Sequence, residues 1–281
     1  MPPELKTALK LLVFRATSDE IQKLNLKHVG LGLLFTWLVG MGRWWEDPKA
    51  DFLQHLGIGS VIYVFLLSFF LWLILWPIAP NHWSLTNVLA FISLTSPPAI
   101  LYAIPVRQGM ELQAAQTVRL WMLAIVAGWR VALLVFYLHR TGFGIKKLIL
   151  AALFPLALIV FTLTALNLEK VVFDFMGGIH RSDRTVNDAA YGVLVMITML
   201  SSLLFIPLLV FYLVSSTSCL FKKIGRRAQW LIFVLAGCFA LSGLLLINSG
   251  ATPMVVILIG SAIILLATAL IELSKTTENK N

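Results

Sequence analysis

Charged residues are scarce in this chain. Lys, Arg, Asp and Glu make up 12% of its 281 residues, whereas hydrophobic residues make up 59% and the mean hydropathy is +0.89. Soluble globular domains carry about 25% charged residues. The composition therefore excludes an ordinary soluble protein and predicts an all-α, polytopic membrane protein.

The apolar segments also lack the side chains with which enzymes usually act inside membranes. No Asp or Glu lies within a predicted hydrocarbon core, and no HExxH, GxSxG or GxxxxGK[ST] motif occurs. The only cysteines, Cys219 and Cys238, have no metal-ligand spacing. We therefore predict a non-enzymatic protein without a metal or another cofactor, and a carboxylate relay for ion-coupled transport has little support.

What the sequence does contain is eight apolar runs, each long enough or nearly long enough to cross a bilayer. They cover approximately residues 29–45, 56–78, 85–105, 118–138, 148–167, 189–214, 229–247 and 253–271. We predict a bundle of about eight transmembrane helices. Its predicted parts are a cytoplasmic amphipathic lead (1–28), a five-span region (29–167), a polar non-cytoplasmic loop (168–188), a three-span region (189–272) and a cytoplasmic tail (273–281).

The basic residues predict the orientation of this bundle. With the N-terminus inside, 14 of the 22 Lys and Arg residues fall on the cytoplasmic side and seven on the other, with Arg130 inside a span. This excess places both termini in the cytoplasm. The plasma membrane is the expected location. Because the cations are dispersed over short loops, no nucleic-acid binding is predicted. Membrane lipids, and a protein partner or a second copy, are the expected partners.

The lead itself has a helical pattern. An apolar stripe on residues 4–15 is formed by Leu5, Ala8, Leu9, Leu12 and Val13. This stripe favours a short helix lying on the cytoplasmic leaflet. Thr17 and Glu20 have capping-box spacing, which predicts a second short helix into Lys27. A solvated, partly frayed lead is the alternative.

The fourth run carries an arginine at its centre. At about 1.5 Å rise per residue, Arg130 lies roughly 15 Å from Arg119 and from Arg140, close to the midplane of a hydrocarbon core about 30 Å thick. An arginine at this depth is a functional-site hypothesis by default. The alternative is a guanidinium that backbone carbonyls satisfy and that only fixes the orientation of the helix.

The same run contains a stripe of small residues, Ala124, Gly128 and Ala132. Small residues at every fourth position let helix backbones approach closely in lipid, so we predict that this stripe packs against another helix. Arg130 points roughly opposite to Gly128, because successive residues of a helix are about 100° apart. We therefore predict that this helix lies inside the bundle.

The third run is interrupted by Pro97 and Pro98. The pair removes two backbone donors, frees carbonyls near Ser93 and Leu94, and biases Ser96 away from helix. Broken backbone at membrane depth is tolerated only where protein or water satisfies it, and Arg130 is the predicted donor. The hypothetical ligand-binding site consists of Arg130, Ser93, Thr95, Ser96, Pro97 and Pro98.

Two predicted non-cytoplasmic loops gather most of the remaining polar chemistry. Their candidate cluster consists of Glu46, Asp47, Asp51, His55, His180, Asp183 and Asp188. If the loops met, such a cluster could bind a divalent metal or support acid/base chemistry. No local ligand spacing supports this, so solvated loops are the favoured interpretation and no metal is predicted.

The first five runs resemble a known layout. A charged lead, a first span, an outer loop, the proline-containing TNVLAFISLTSPPAIL and the segment LWMLAIVAGWRVALLVFYLHRTGFGIKKLIL are similar to bacterial Yip1-type multi-pass membrane proteins over residues 1–167. Three additional runs after residue 188 depart from the five-span pattern, and the polar N-terminal motifs of the eukaryotic members are absent. The absence of these motifs argues against GTPase-linked trafficking roles. The resemblance implies a non-enzymatic protein of the bacterial inner membrane, and it implies no active site.

Two functional hypotheses follow. The first is a non-enzymatic membrane protein with a role in membrane organisation or as a partner in an assembly, because catalytic motifs are missing, a small-residue stripe is present and the loops are short. The second is a transporter or lipid-binding carrier for an anionic solute, with Arg130 facing the Pro97–Pro98 break. An enzyme with its site on the outer loops is a third alternative.

Overall fold

Almost all of the chain that the structure describes is helical. The computed structural model describes residues 2–42, 52, 56–80, 82–106, 111–165, 189–224, 226–245 and 252–278, among which no β-strand occurs. The α-helices are α1 (Pro3–Leu12), α2 (Ser18–Gln22), α3 (Leu26–Gly42), α4 (Ile58–Leu75), α5 (Leu85–Leu94), α6 (Leu112–Arg140), α7 (Ile145–Ala165), α8 (Ala189–Ile224), α9 (Arg226–Leu245) and α10 (Thr252–Glu278). A 3₁₀ helix covers Pro97–Ala103. The predicted all-α class is confirmed.

Five of the helices contain a stretch that is long and apolar enough to cross a membrane. These stretches are Ile58–Leu75, Trp121–Arg140, Ile145–Thr162, Met196–Phe221 and Met254–Glu272. Shorter apolar helices occupy the other three predicted runs, at Leu26–Gly42, Leu85–Leu101 and Trp230–Leu245. The protein is thus a helical membrane protein, and the count of eight crossings stays a prediction.

The chain divides into two compact units, Met1–Leu203 and Leu204–Asn281. The division falls inside α8, which gives its last part to the second unit. The predicted boundaries near residues 28, 167, 188 and 272 are a different kind of division, between membrane regions and loops, and they stay predictions.

Helix α3 is at the centre of the first unit. It packs against α4, α5 and the 3₁₀ helix, while α6 packs against the 3₁₀ helix and α7. Glycines allow the closest of these approaches. A Cβ added at Gly32 would lie 2.7 Å from the Cβ of Ser93, and one added at Gly40 would lie 2.9 Å from the Cα of Gly57. Larger side chains at these two positions would therefore separate α3 from its neighbours.

The ends of these helices meet as antiparallel neighbours require. Gly40 near the end of α3 lies against Gly57 at the start of α4. At the opposite end, the Nε2 atom of His82 lies within hydrogen-bonding distance, 2.9 Å, of the Thr141 carbonyl oxygen. Each of these two contacts thus joins residues that are predicted on the same side of the membrane. Which end faces the cytoplasm stays a prediction.

The lead is folded onto the first unit. Five apolar residues of the lead are at most 4% exposed, namely Ala8, Leu11, Ala16, Ile21 and Leu24. This burial rules out a frayed lead. It also differs from the predicted stripe, because the buried face includes Leu11, whereas Leu9 and Val13 are exposed. The difference arises because α1 packs on α3 with an adjacent face that includes Leu11 and leaves Leu9 and Val13 outside.

The predicted capping box at the start of α2 is confirmed. The Thr17 hydroxyl accepts a hydrogen bond from the Glu20 N–H at 3.3 Å, and the Glu20 carboxylate accepts one from the Thr17 N–H at 2.9 Å. The predicted extension of this helix into Lys27 was wrong, because α2 ends at Gln22. Helix α2 does not reach Lys27 because a new helix starts just after Asn25. The Asn25 side chain accepts a hydrogen bond from the Lys27 N–H at 3.0 Å and caps that helix.

The second unit has a core of its own. Helices α9 and α10 pack along each other, and the last part of α8 adds to their apolar core. The buried members of this core are Leu213, Leu220, Ile232, Ala236, Leu265 and Ala269. A polar contact is made by Ser218, whose hydroxyl donates a hydrogen bond to Glu272 at 3.3 Å.

The close approach at Gly32 can be tested with a matched pair of substitutions. Gly32→Ala should lower the free energy of unfolding by about 1–3 kcal/mol, because the added methyl group collides with Ser93. Gly30→Ala in the same helix should leave it unchanged or raise it by up to about 1 kcal/mol, since the space beside Gly30 is open. Thermal unfolding of the purified protein in detergent measures both. Equal effects of the two substitutions would contradict the close approach.

Candidate anion site at the helix break

The third predicted span is broken at the two prolines. Helix α5 ends at Leu94 with Thr95 as its C-cap, and the 3₁₀ helix starts at Pro97. The predicted break is confirmed. The predicted bias of Ser96 away from helix was wrong, because its φ of −75° and ψ of −33° are helical. Its carbonyl accepts the Ala99 N–H at 2.9 Å, so Ser96 opens the tight 3₁₀ turn.

Buried hydroxyl groups surround the break. Ser93, Thr95 and Ser96 are at most 4% exposed, and so is Thr36 of α3. The Thr36 hydroxyl donates to the Gly32 carbonyl at 2.9 Å and lies 2.6 Å from the Ser96 hydroxyl. Because the Thr36 proton is used by Gly32, Ser96 is the donor of the second bond. This pair of bonds fastens the break to α3.

The other two hydroxyls bond to their own helix. Ser93 donates to the Ala90 carbonyl at 3.0 Å, and Thr95 donates to the Ile92 carbonyl at 2.7 Å. All three predicted hydroxyl ligands thus have a hydrogen-bond partner within the chain. Their contact with a bound molecule stays a prediction.

Arg130 donates a hydrogen bond to the broken segment, as the sequence analysis expected of it. Its Nε–H bonds to the Thr95 carbonyl at 3.3 Å. The acceptor is one residue later than the predicted pair Ser93 and Leu94, because the Ser93 carbonyl is taken by the Ser96 N–H at 3.2 Å. A cation beside the last carbonyls of α5 is also favourable for the helix dipole.

This contact uses one of the N–H donors of the Arg130 guanidinium. The group has five N–H donors, of which Nε supplies one. Arg130 is half-buried, and its Nη atoms have no hydrogen bond within the part of the chain that the structure describes. The ion pair in that part joins Lys10 and Glu20 and does not involve Arg130. Four donors and the full positive charge of the arginine are therefore left to be satisfied in the middle of the candidate span Trp121–Arg140.

The lead docks on α6 next to Arg130. The indole N–H of Trp129 donates to the Leu12 carbonyl at 3.2 Å. Phe14 reaches α6 from a left-handed backbone conformation, with φ of 59°, and its ring centroid lies 5.8 Å from that of Trp129 and 5.7 Å from that of Phe136. The sequence did not predict the contact between Phe14 and the rings of Trp129 and Phe136, since none of these residues belongs to a motif.

The predicted packing stripe of α6 has no packing partner among the described residues of its unit. Ala124, Gly128 and Ala132 are exposed, and nothing lies within 4 Å of a Cβ added at Gly128. Near its end α6 buries a different face, where Leu133 and Tyr137 are fully buried. Packing of the stripe against another helix stays a prediction. The position of α6 inside the bundle likewise stays a prediction.

Tyr137 is a further residue that the sequence analysis missed. Its ring stacks on that of Phe91, with centroids 4.0 Å apart and planes 12° from parallel. Its hydroxyl is buried and has no hydrogen-bond partner in the described part of the chain. A buried hydroxyl without a partner is destabilising, so the aromatic stack is what holds this residue in place.

The candidate cluster of the outer loops lies outside the described residues. This applies to Glu46, Asp47, Asp51, His55, His180, Asp183 and Asp188. Among the residues that are described, no group of three or more His, Cys, Asp or Glu side chains could hold a metal ion. The cluster stays a prediction.

No protein-family model, curated protein or solved structure matches this chain. The resemblance of residues 1–167 to Yip1-type proteins therefore stays a prediction. The interpretation of the candidate site is therefore based on its geometry alone.

The hydroxyl pair at the break gives a second prediction. Thr36→Val should lower the free energy of unfolding by about 1–3 kcal/mol, because the Ser96 hydroxyl loses its acceptor inside the protein. Ser68→Ala is the control, since this equally buried hydroxyl bonds only to Val64 of its own helix, at 2.6 Å. Thermal unfolding in detergent compares the two. A loss at Ser68 as large as that at Thr36 would argue against the fastening role.

Proposed function

We propose that the protein is a non-enzymatic integral membrane protein that binds an anionic group at Arg130, as a lipid-binding carrier or a transporter of an anionic solute does. One observation carries the proposal. The Arg130 guanidinium spends one N–H on the Thr95 carbonyl, and its Nη atoms have no hydrogen bond in the described part of the chain. A membrane-embedded charge in this condition needs a counter-charge.

The chemistry of the guanidinium indicates what the ligand is. The two Nη atoms of arginine form a planar fork that matches the paired oxygens of a phosphate or a carboxylate. The bond from Nε to Thr95 fixes one edge of this fork, so the other edge is oriented before a ligand arrives. A phosphate or carboxylate oxygen pair, from a lipid headgroup or from a solute, fits this edge.

The proposed membrane arrangement has more crossings than the five helical stretches that are long and apolar enough to cross a membrane. We propose eight crossings, with both termini in the cytoplasm and the protein in a plasma membrane of the bacterial inner-membrane type. Support comes from the three shorter apolar helices, which occupy the remaining predicted runs, and from the excess of basic residues in the predicted cytoplasmic loops.

A second candidate function is a partner role in an assembly. The observation that favours it is the exposed stripe of Ala124, Gly128 and Ala132, beside which space is open. Such a surface fits the close approach of a helix from a second copy or another membrane protein. The two candidates use different faces of α6, so they are compatible with each other.

Replacement of Arg130 tests the proposed function. In nanodiscs, Arg130→Gln should weaken the binding of phosphatidylglycerol at least tenfold, because the charged fork is lost. Arg130→Lys should keep the fold and weaken binding less, since it keeps the charge without the fork. Arg140→Gln on the exposed end of α6 is the matched control and should bind like the wild type. Native mass spectrometry counts the retained lipid.

Competition separates the two ligand sources. Displacement of the lipid by inorganic phosphate would identify a site for a free anion, whereas retention would identify a lipid headgroup site. Equal lipid binding by all the variants would contradict the proposal, even if Arg130→Gln proved unstable, because Arg130→Lys provides an independent comparison.

The partner role is tested through the exposed stripe. If α6 associates with a second copy, the protein should have dimeric mass at low detergent concentration, and Gly128→Leu should abolish the dimer because the backbones can no longer approach. Gly144→Leu outside α6, where space is likewise open, is the control. Light scattering measures the mass. A wild-type monomer, or a dimer that survives Gly128→Leu, would count against this role.

A further inference from the structure

The lead forms a helical hairpin. Residues 13–17 join α1 to α2, and Lys10 of the first helix pairs with Glu20 of the second. The turn is tight, because Phe14 has a left-handed φ of 59° and the Arg15 N–H bonds to the Lys10 carbonyl at 2.7 Å. A bulky residue rarely adopts this conformation, so the contacts that Phe14 makes with α6 hold the turn in place.

The base of the hairpin lies where α5 begins. The Asn87 side chain donates a hydrogen bond to the Gln22 carbonyl at 3.4 Å. Thr95, whose carbonyl bonds to Arg130, follows Asn87 by eight positions, which is about 12 Å along a helix. The base of the hairpin is therefore about 12 Å away from the level of Arg130.

The tip of the hairpin reaches the level of Arg130. The Leu12 carbonyl accepts the indole N–H of Trp129 at 3.2 Å, and the Phe14 ring centroid lies 5.8 Å from that of Trp129. Trp129 directly precedes Arg130 and lies about 16 Å along α6 from Arg140, where the candidate span ends. The lead thus extends inward from the leaflet on which the sequence pattern places it.

Arg15 brings a second arginine to this level. Lys10 of the same hairpin already has Glu20 as its counter-ion. The Arg15 side chain is exposed and has no hydrogen bond or ion pair within the part of the chain that the structure describes. Like Arg130, it needs a counter-charge that the described residues do not supply. Two guanidinium groups in this condition suit a ligand that carries more than one negative charge.

We propose that Arg15 is a second binding residue of the anion site at Arg130, and that the two guanidinium groups together take a phosphate monoester. This inference rests on the proposed function and deepens it. The Arg130 fork binds one pair of phosphate oxygens, and Arg15 binds the remaining charged oxygen. A phosphodiester or a carboxylate has a single charge and offers nothing further to Arg15. The monoester belongs to a lipid headgroup or to a soluble phosphate.

Two lipids that differ in this charge test the proposal. The full chain is placed in nanodiscs that contain phosphatidic acid or phosphatidylglycerol, at about pH 8, where a phosphate monoester carries close to two charges. Native mass spectrometry counts the retained lipid. The wild type should retain phosphatidic acid at least tenfold more tightly than phosphatidylglycerol.

Arg15→Gln should lose this preference and bind phosphatidylglycerol within about twofold of the wild type, because the second charge is then without a partner. Arg15→Lys should keep part of the preference, since it keeps the charge without the fork. Lys23→Gln is the matched control, because Lys23 is an exposed cation at the base of the hairpin, next to Gln22. It should bind both lipids like the wild type.

Failure of this proposal and failure of the proposed function give different results. Equal retention of the two lipids by the wild type, or an unchanged preference in Arg15→Gln, would overturn the role of Arg15 alone. An equal loss of both lipids in Arg15→Gln would overturn it in favour of a general attraction of the lead for anionic lipids. Phosphatidylglycerol binding by Arg130→Gln at the wild-type level would overturn the proposed function itself.

Inorganic phosphate distinguishes the two sources of the monoester. Added to the wild type in phosphatidic acid nanodiscs, it should displace the lipid if the site takes a soluble phosphate, and the lipid should be retained if the site takes a headgroup. In both cases the effect of Arg15→Gln supports the pair of arginines.

Discussion

The hydrogen bond from Arg130 to the Thr95 carbonyl joins two features that are each unfavourable in a membrane. At the break the Thr95 carbonyl has no helical donor, because Pro98 has no N–H and the Ala99 N–H bonds to Ser96, and Arg130 brings a positive charge to membrane depth. Each feature supplies part of what the other lacks, at a distance of 3.3 Å. The bond thus accounts for the presence of both in one unit.

The rest of the first unit brings this contact together. Gly32 allows α5 to approach α3, and Thr36 then reaches the hydroxyl of Ser96 and fastens the break on one side. Helix α6 approaches from another side and also receives the lead, through Trp129. A single turn of α6 therefore connects the break, the lead and the charge.

Local chemistry in the sequence predicted part of this arrangement. Two adjacent prolines and a central arginine are enough to predict a break and its donor, and Thr17 with Glu20 is enough to predict a capping box. The acceptor was misplaced by one residue, because the 3₁₀ turn that Ser96 opens consumes the Ser93 carbonyl. The prolines predict where the helix breaks, but the local hydrogen bonds of the new turn decide which carbonyl is left for Arg130.

Packing between segments that are distant in the sequence was harder to predict. Small residues recur at every fourth position both in α3, as Gly32, Thr36 and Gly40, and in α6, around Gly128. The spacing shows that a close approach is feasible, but the partner surface decides which stripe is used, and α3 uses its stripe whereas that of α6 is exposed. The contact of Phe14 with Trp129 and Phe136 of α6 was missed for the same reason, because it joins residues more than a hundred positions apart.

A structure determined in lipid nanodiscs tests the central claim most directly. The account predicts Nε of Arg130 on the Thr95 carbonyl, with non-protein density of phosphate or carboxylate shape against the Nη atoms. A guanidinium whose Nη atoms are capped by main-chain carbonyls of the protein, in a dry bundle without such density, would contradict it and leave Arg130 with a structural role.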